Sequence, residues 1–417
     1  MRILLLSDRI PPENRGGAGE VLWRLAVSLQ QNGHDVHVIS ATDKAYFQEV
    51  REGIPTYHIQ VSYPERFRAW LSLYNPQVNS RLKNLYQEIQ PDVINAHNIH
   101  QYLSYNSLRI AHKMQIPVVF SSHDVMLFAY HKMSYFIQRD KCGAESFQDY
   151  RLPPFYNLKT MKLRYNPLRN LAIRHSLKQY AQVRIAPSQE LCHAHEANDL
   201  PVFDCVHNGI DTDSFAVSQA SIETLRERLK LQGRKVILFA GRLTGAKGTY
   251  QLLSALKQVV KDVPTATLLV LSSVPIDEQI QDGKFKELRD NHIVSGGWLS
   301  GDDLASAFHL SDVMVAPSII FDTFPTVNLE AMASHSVVLA SCYGGSKEAV
   351  IDGQTGFIIN PFDTEDFASK LSRILQDDSL RRMMAEKAYQ RVTSQFTIEQ
   401  QTTQMLEKYQ QAINSYD

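Results

Sequence analysis

The sequence predicts an α/β protein with two doubly wound domains, each built on a parallel sheet that is covered by helices. The chain has 417 residues, which is too long for one ordinary core and suits two domains of about 200 residues each. Short apolar runs alternate with helical patterns along its length, as they do in βα units. A turn signal at Asn208-Gly209 separates two series of such units.

The candidate strands form two series, and each series is long enough for a sheet of its own. The first comprises residues 3–6, 36–40, 56–61, 93–96, 118–121 and 184–186. The second comprises residues 236–240, 267–271, 293–295, 313–316, 337–340 and 357–359. We therefore predict a first domain over 1–207 and a second domain over 208–395. A final helix over 396–417, with Thr397 as candidate N-cap, is expected to pack back on the first domain.

The composition is that of an ordinary soluble globular protein, 44% hydrophobic and 21% charged. A net charge of −1 provides no global field that would attract nucleic acid. The four cysteines (Cys142, Cys192, Cys205 and Cys342) are too sparse for a disulfide framework, which favours a reducing, cytoplasmic compartment. No run approaches 18 apolar residues, so a membrane-spanning helix is not expected.

The segment 316–334 carries the strongest functional signal. Asp322, in a predicted loop, is followed eight positions later by Glu330. Pro325 suits the first position of a helix, which places Glu330 in the second turn. A carboxylate on an otherwise apolar helix indicates a polar ligand such as a vicinal diol, and the helix start favours phosphate or sugar oxygens. The alternative is a solvated loop aspartate with a surface glutamate.

Two further loops follow predicted strands. Arg242 and Lys247 share a glycine-bearing loop after the strand at 236–240, where a guanidinium fork and a movable ammonium suit a diphosphate. The alternative is a pair of ordinary solvated charges. Gly16-Gly17 follows the first strand, and its N–H groups either meet an anion or simply make a tight turn.

The first half contains two kinds of histidine signal. His123, after the strand at 118–121, either hydrogen-bonds a ligand hydroxyl or is a satisfied structural imidazole. The pairs His97-x-x-His100 and His193-x-His195 have the spacing of metal ligands. No third ligand is evident near either pair, so a metal site is not expected.

Together these motifs resemble family 4 of the retaining glycosyltransferases, which have the GT-B fold of two Rossmann-like domains facing a central cleft. The resemblance covers essentially the whole chain. The motifs that carry it are, in order, Gly16-Gly17, His123, Asn208-Gly209-Ile210-Asp211, Gly241-Arg242 with Lys247-Gly248, Asp322 with Glu330, Gly344-Gly345-Ser346-Lys347-Glu348 and Asp352-Gly353-Gln354-Thr355-Gly356-Phe357.

The resemblance implies transfer of a sugar from a nucleotide-diphospho-sugar to a hydroxyl acceptor, without a metal or another cofactor. It implies that Arg242 and Lys247 bind the diphosphate, that Glu330 holds the ribose hydroxyls, and that Asp322 contacts the sugar. It also places His123 against the sugar hydroxyls. The usual first acidic residue of the family is Glu, so the shorter Asp322 leaves the identity of the sugar open.

The predicted site residues form a catalytic set and a donor-binding set. The catalytic set is His123, Arg242, Lys247 and Asp322. The donor-binding set is Gly16, Gly17, Asn208, Gly209, Arg242, Lys247, Asp322, Thr323, Phe324, Pro325, Thr326 and Glu330.

The donor and the acceptor are predicted only by class. The donor is a UDP-, GDP- or ADP-sugar, and the acceptor is a carbohydrate, a lipid-linked molecule or a small molecule, in polysaccharide or glycolipid synthesis. No nucleic acid partner is expected. Two alternatives are a nucleotide-sugar 2-epimerase on the same fold and a non-catalytic protein that binds nucleotide sugars.

The segment 151–178 is basic and contains neither Asp nor Glu. Its cations are Arg151, Lys159, Lys162, Arg164, Arg169, Arg174 and Lys178, interleaved with Phe155, Tyr156 and Tyr165. The segment is either a solvated basic face or a contact for an anionic membrane surface or a phosphate-bearing lipid acceptor.

Overall fold

The computed structural model describes residues 1–13, 17–130 and 149–416. Within these ranges the chain divides into two compact units. The first domain comprises 1–13, 17–130, 149–209 and 398–416, and the second comprises 210–397. Both boundaries lie two residues further along the chain than the sequence-based ones at 207/208 and 395/396.

In its described residues, the first domain contains one sheet. Its strands are β1 (Arg2–Ser7), β2 (Asp35–Thr42), β3 (Phe47–Arg51), β4 (Ile54–Gln60), β5 (Val93–Ala96), β6 (Val118–Ser121), β7 (Val183–Ala186) and β8 (Asp204–Cys205). They are ordered β3-β4-β2-β1-β5-β6-β7-β8, and all neighbours are parallel except β3 and β4. The helices before residue 209 are α1 (Gly17–Gln31), α2 (Arg68–Leu71), α3 (Pro76–Ile89), α4 (Asn106–Lys113), α5 (Tyr156–Met161), α6 (Arg169–Tyr180) and α7 (Gln189–Ala197).

The described second domain also has a single sheet. Its strands are β9 (Lys235–Ala240), β10 (Ala266–Leu271), β11 (Ile293–Gly297), β12 (Val313–Ala316), β13 (Val337–Ser341) and β14 (Gly356–Ile359). They are all parallel, in the order β11-β10-β9-β12-β13-β14. The helices are α8 (Gln219–Arg228), α9 (Thr249–Asp262), α10 (Ile276–Gln279), α11 (Lys286–His292), α12 (Gly301–Leu310), α13 (Thr326–Ala333), α14 (Ser346–Ala349), α15 (Thr364–Gln376) and α16 (Asp378–Gln395).

The central strands of the second sheet are buried on both faces. Successive side chains of a strand point to opposite faces, so each such strand contributes to two apolar clusters. Val236 and Leu238 of β9 belong to one apolar cluster, whereas Ile237 and Phe239 belong to another. A strand that is buried on both faces reads as a continuous apolar run, which is the pattern that predicted it. The α/β fold class is confirmed, with one mostly parallel sheet and one fully parallel sheet.

The last helix, α17 (Ile398–Asn414), belongs to the first domain. Met405, Tyr409 and Ala412 join the apolar cluster that contains the buried faces of α1 and β1. Polar contacts also tie it to this domain, since Thr402 Oγ1 donates to Ser28 Oγ over 2.7 Å. The chain therefore leaves the first domain at residue 209 and returns to it at residue 398.

The cysteines are not all in the same state. Cys192 and Cys205 form no disulfide bond, whereas Cys342 is disulfide-bonded. Cys142 lies outside the described residues. Cysteine usage alone therefore no longer supports the reducing compartment that the sparse cysteines favoured. In the part of the chain that the structure describes, no helix is both long enough and apolar enough to span a bilayer.

Candidate active site

In each domain the strand order reverses at one point, and predicted site residues follow the strands near it. The reversal lies between β1 and β5 in the first domain and between β9 and β12 in the second. Lys247 ends the 3-10 helix Gly245–Lys247 after β9, and Asp322 follows β12. His123 follows β6, which pairs with β5. Open α/β sheets bind ligands at the carboxyl ends of strands at such a point.

Lys247 and Asp322 form an ion pair in the second domain. Lys247 Nζ lies 2.6 Å from Asp322 Oδ2, and Ser318 Oγ donates to the same oxygen over 2.9 Å. The side chains are 38% and 21% exposed, so the pair remains accessible to a ligand. The family resemblance assigned these two side chains to different parts of the donor. The structure brings them into direct contact.

Two glycines allow the backbones around this pair to approach closely. Gly248 has φ +74°, and a Cβ there would lie 2.0 Å from Pro317 O. Gly344 has φ +90°, and a Cβ there would lie 2.1 Å from Asp322 O. The N–H of Gly345 donates to the same carbonyl over 2.9 Å. Side chains at these glycines would displace the loops that carry Lys247 and Asp322.

Arg242 is the exposed cation of this loop. Its side chain forms no ion pair and no hydrogen bond with any other residue that the structure describes. It lies two residues after the end of β9, at the same edge of the sheet as Lys247. A guanidinium in this position can turn its fork of N–H donors toward a phosphate group.

Helix α13 places Glu330 in its second turn, where the side chain is 9% exposed. The prediction that Pro325 is the first helical residue is wrong by one position. Pro325 has an extended ψ of 115° and is the N-cap, while its carbonyl accepts from Asn328 N over 3.1 Å. The fixed φ of proline suits both the N-cap and the first helical position, and the extended ψ identifies Pro325 as the N-cap.

The other predicted residues of this segment differ in exposure. Phe324 is 3% exposed and packs in the domain core against Phe396, so only its backbone can face a ligand. Thr323 and Thr326 are half-buried. Asn328, which was not among the predicted site residues, is fully buried and donates to Ser346 Oγ over 3.1 Å. It joins the start of α13 to that of α14.

In the first domain, His123 contacts a second histidine. His97 Nδ1 lies 2.7 Å from His123 Nε2, and the rings stack with their centroids 5.0 Å apart. Burial lowers the pKa of His123 to about 4. Burial and the neighbouring His123 hold the pKa of His97 well below its usual value. Both imidazoles are therefore neutral at neutral pH.

His100 and Asp124 form a second polar pair at this edge of the sheet. His100 Nε2 lies 3.3 Å from Asp124 Oδ1, and His100 Nδ1 lies 2.8 Å from Tyr105 Oη. Burial alone would raise the pKa of Asp124, but His100 beside it lowers that pKa to about 2. The nitrogens of His97 and His100 thus contact side chains of the protein.

Asn208 lines a small pocket of the first domain together with His97, His123 and Ser121. The next residue, Gly209, donates its N–H to Gln401 Oε1 over 2.8 Å. Gln401 lies on α17, so the last helix helps to hold this turn. The structure therefore gathers Asn208 and His123 in one domain and Lys247 and Asp322 in the other.

The first glycine loop is described only in part. Gly16 lies outside the described residues, and Gly17 is the exposed first residue of α1. One acidic residue near this loop, Asp8, was not predicted as a site residue. Asp8 follows β1, and its carboxylate accepts backbone N–H groups of Gln101, Tyr102 and Leu103 over 2.7–2.8 Å. Burial raises the pKa of Asp8. An acid directly after the first strand was the available signal.

The basic segment 151–178 is not uniformly exposed. Arg169 is only 1% exposed and donates to Met126 O over 2.7 Å, so the prediction that it shares the basic surface is wrong. It begins α6, whose inner side also buries Ile173 and Leu177. Lys159, Lys162 and several apolar side chains of the segment remain exposed.

Two protein-family models match the chain. The family described as Glycosyl transferases group 1 matches residues 221–391, and Glycosyltransferase Family 4 matches residues 15–214. An uncharacterized glycosyltransferase of Methanocaldococcus jannaschii is 25% identical over 402 residues, which are 95% of each chain. The glycogen synthase of Mycobacterium tuberculosis is 26% identical over 415 residues, covering 95% of this chain and 91% of the relative.

Solved structures share the fold. HepE of Anabaena in complex with UDP superposes with a TM-score of 0.72 at 18% identity, over 98% of this chain and 99% of that one. Sucrose-phosphate synthase of Thermosynechococcus elongatus superposes with a TM-score of 0.76 at 20% identity, over 99% of each chain. These matches favour neither the epimerase nor the non-catalytic binding protein. The two family matches together span most of the sequence, and the chain belongs to the family 4 glycosyltransferases of GT-B fold.

Proposed function

We propose that the protein is a retaining, metal-independent glycosyltransferase that uses a nucleotide-diphospho-sugar, with UDP as the first nucleotide to test. The observation that carries the proposal is the placement of Arg242, Lys247 and Asp322 at the carboxyl ends of β9 and β12. Structural neighbours solved with UDP and UDP-glucose support a donor of this class.

Departure of the diphosphate is the step that these cations assist. The bond between the anomeric carbon and the diphosphate oxygen breaks, and negative charge develops on the diphosphate. Arg242 and Lys247 stabilise this charge more in the transition state than in the ground state. They supply the positive charge that a divalent ion would otherwise provide, which is why we expect no metal requirement.

Retention follows if the acceptor oxygen bonds to the anomeric carbon on the face from which the diphosphate leaves. The acceptor proton passes to an oxygen of the departing phosphate, so the step needs no base from the protein. Neither Asp322 nor Glu330 is required as a nucleophile. We assign Glu330 to the ribose hydroxyls and Asp322 to the sugar.

The ion pair gives Asp322 a second role. An ammonium has three N–H donors, so Lys247 can keep its contact with Asp322 while it binds a phosphate oxygen. Asp322 then holds the flexible lysine in one orientation, which reduces the entropy lost when the diphosphate binds.

We propose further that the segment 151–178 contacts an anionic lipid surface, at the cytoplasmic face of a membrane. It exposes large apolar side chains among its lysines and arginines. The exposed fractions are 73% for Phe155, 100% for Leu163, 65% for Leu168 and 57% for Leu171. Lys159, Lys162 and Arg164 are exposed beside them. Apolar side chains that enter the interface among cations are the pattern of a peripheral contact, and a lipid-linked acceptor would be reached there.

Thermal unfolding in the presence of UDP, GDP and ADP tests the donor site directly. A ligand that binds only the folded state stabilises it by about 2.7 kcal/mol at 100 times its Kd. We expect one nucleotide to raise the melting temperature of the wild type and to have little effect on Arg242→Ala. If all three leave the wild type unchanged at millimolar concentration, the donor assignment is wrong.

A further inference from the structure

We propose that Asn95 and His97 hold His123 in the tautomer that carries hydrogen on Nε2, so that its Nδ1 accepts a hydrogen bond from a substrate hydroxyl. Asn95 and His97 are then positioning residues for His123. The hydroxyl contact rests on the proposed glycosyl transfer, whereas the choice of tautomer rests on the first domain alone.

The backbone carbonyl of Val119 can only accept hydrogen bonds, and this determines how the Asn95 amide is oriented. Asn95 Nδ2 lies 3.1 Å from Val119 O and 2.7 Å from Ser121 Oγ. If the amide were turned over, two carbonyl oxygens would face each other at Val119. The NH2 group of Asn95 must therefore face β6, and its Oδ1 must face the opposite side.

Asn95 Oδ1 determines the tautomer of His97. The distance from His97 Nε2 to this oxygen is 2.8 Å. Because an amide oxygen accepts only, His97 carries its hydrogen on Nε2. His97 is neutral, since burial holds its pKa well below the usual value. Its Nδ1 therefore carries a lone pair.

His97 in turn determines the tautomer of His123. His97 Nδ1 lies 2.7 Å from His123 Nε2, and a lone pair at the first nitrogen requires hydrogen on the second. His123 is also neutral, because burial lowers its pKa to about 4. Its Nδ1 is consequently a hydrogen-bond acceptor and not a donor.

The hydrogen bonds that link Asn95, His97 and His123 form a relay. Its members are tightly packed, and the last helix completes it. Asn95 is fully buried, His97 is 2% exposed, and Ser121 is 3% exposed. Tyr409 of α17 donates its hydroxyl to Asn95 Oδ1 over 2.9 Å. Buried polar groups that satisfy one another in this way have few alternative arrangements. A strand residue two positions from His97 thus decides which nitrogen of His123 is protonated.

An acceptor at His123 has a consequence for specificity. A substrate hydroxyl must donate its hydrogen to Nδ1, so replacing that hydroxyl by hydrogen or fluorine removes the donor. An analogue that cannot donate to this nitrogen loses a hydrogen bond in the binding site, and a site built to accept from a hydroxyl discriminates against such an analogue. The relay therefore makes the hydroxyl a requirement for tight binding.

Nitrogen NMR of protein labelled with 15N-histidine tests the tautomer without any substrate. We expect His123, identified from the signals lost in His123→Gln, to show a protonated Nε2 and an unprotonated Nδ1. His97→Asn can still present an oxygen near the former Nδ1, so it should preserve this tautomer. His97→Phe and Asn95→Ala break the relay at different points and should give a mixture. His58→Phe removes another buried imidazole, on β4, and should leave the His123 signals unchanged.

The same variants separate positioning from folding. With a donor hydrolysis assay, His97→Phe should lower kcat/KM about tenfold or more, and His97→Asn should recover much of the loss. A protonated Nδ1 in the wild type would overturn the proposal, even if His97→Phe fails to fold. An unchanged tautomer in both His97→Phe and Asn95→Ala would overturn it as well. If no nucleotide sugar is hydrolysed but the tautomers behave as expected, the proposed function fails and the relay stands.

Discussion

Lys247 and Asp322 meet as an ion pair with 2.6 Å between Nζ and Oδ2, although 74 residues separate them in the sequence. Each follows a strand that flanks the point of reversal in the second sheet. The parallel topology therefore creates the pair, because it brings the carboxyl ends of β9 and β12 side by side.

Removing either cation of the loop after β9 should impair the chemical step. Arg242→Ala and Lys247→Ala are each expected to lower kcat/KM about 10²-fold or more, because a charge-assisted contact to the developing diphosphate is lost. Lys257→Ala, which removes an exposed cation from α9, is the matched control and should retain full activity. Steady-state kinetics with the best donor give the comparison. Wild-type turnover in both site variants would show that the diphosphate does not bind at this loop.

The two acids should affect different steps. Glu330→Gln is expected to weaken binding of the nucleoside diphosphate, because the ribose loses a carboxylate acceptor. Asp322→Asn keeps a side-chain oxygen that can accept from Lys247, so this variant should retain most of that affinity and impair sugar transfer. Isothermal titration of each variant with the nucleoside diphosphate, beside a transfer assay, separates the two roles. The division of roles is wrong if both changes spare nucleotide affinity and reduce only transfer.

Activity should survive an excess of EDTA. Arg242 and Lys247 supply the positive charge at the diphosphate, so chelation should leave kcat/KM within about twofold of the untreated protein. The same assay with added Mg²⁺ or Mn²⁺ should show no large gain. Complete loss in EDTA that Mg²⁺ restores would contradict the proposed mechanism.

Stability should fall as the pH decreases below about 6.5. Burial lowers the pKa of His123 to about 4 and that of His195 to about 3, so the folded state binds fewer protons than the unfolded state in this window. Each such histidine contributes a slope of roughly 1.4 kcal/mol per pH unit, with stability rising toward neutral pH. Urea unfolding at pH 5, 6 and 7 measures the slope. His123→Gln should reduce the slope. An unchanged slope would mean that groups other than His123 cause the pH dependence of stability.

Anionic liposomes should bind the protein in a salt-dependent manner. Each Lys or Arg near the surface adds about 1 kcal/mol of attraction, which is screened as ionic strength rises. Reversing Lys159, Lys162 and Arg164 to Glu should abolish sedimentation with the liposomes. The control reverses Lys83, Arg109 and Lys113, which are exposed on α3 and α4 of the same domain, and should bind more strongly than the test variant. Equal binding by the two variants would mean that liposome binding depends on the net charge of the protein and not on the segment 151–178.

The exposed apolar side chains provide a second test of that surface. Leu163→Ser with Leu168→Ser removes apolar area while the charge is unchanged. We expect weaker binding to anionic liposomes at physiological salt, where the electrostatic attraction is reduced. Val202→Ser, at another exposed apolar residue of the first domain, is the control. If both proteins bind as the wild type does, the apolar residues do not enter the bilayer.

Continuous apolar runs predicted the strands well. Each predicted strand is present to within two residues at either end, and most of these strands are buried on both faces. The missed strand β3 (Phe47–Arg51) is at the edge of the sheet, is largely exposed and contains Gln48, Glu49 and Arg51. It pairs with β4 across the two-residue turn Glu52-Gly53. β8 has only two residues, too few to show a period.

The candidate site was predictable residue by residue but not contact by contact. The sequence indicates that Asp322 and Lys247 lie in loops after strands, whereas their pairing depends on which strands become neighbours. His97 was noticed only for its spacing from His100, because contact with His123 requires β5 and β6 to be adjacent. The burial of Arg169 was missed for the same reason, since its partner Met126 lies 43 positions away.

The return of α17 to the first domain determines when that domain can be completed during synthesis. Residues 210–397, which form the second domain, all leave the ribosome before residues 398–414 do. Until then the strands β1 and β5 lack the apolar cover of Met405 and Tyr409, and Asn95 lacks the hydroxyl of Tyr409. The domain that starts the chain therefore finishes folding last. A protein stopped at residue 397 would expose this face, and adding residues 398–416 as a separate peptide should restore its solubility.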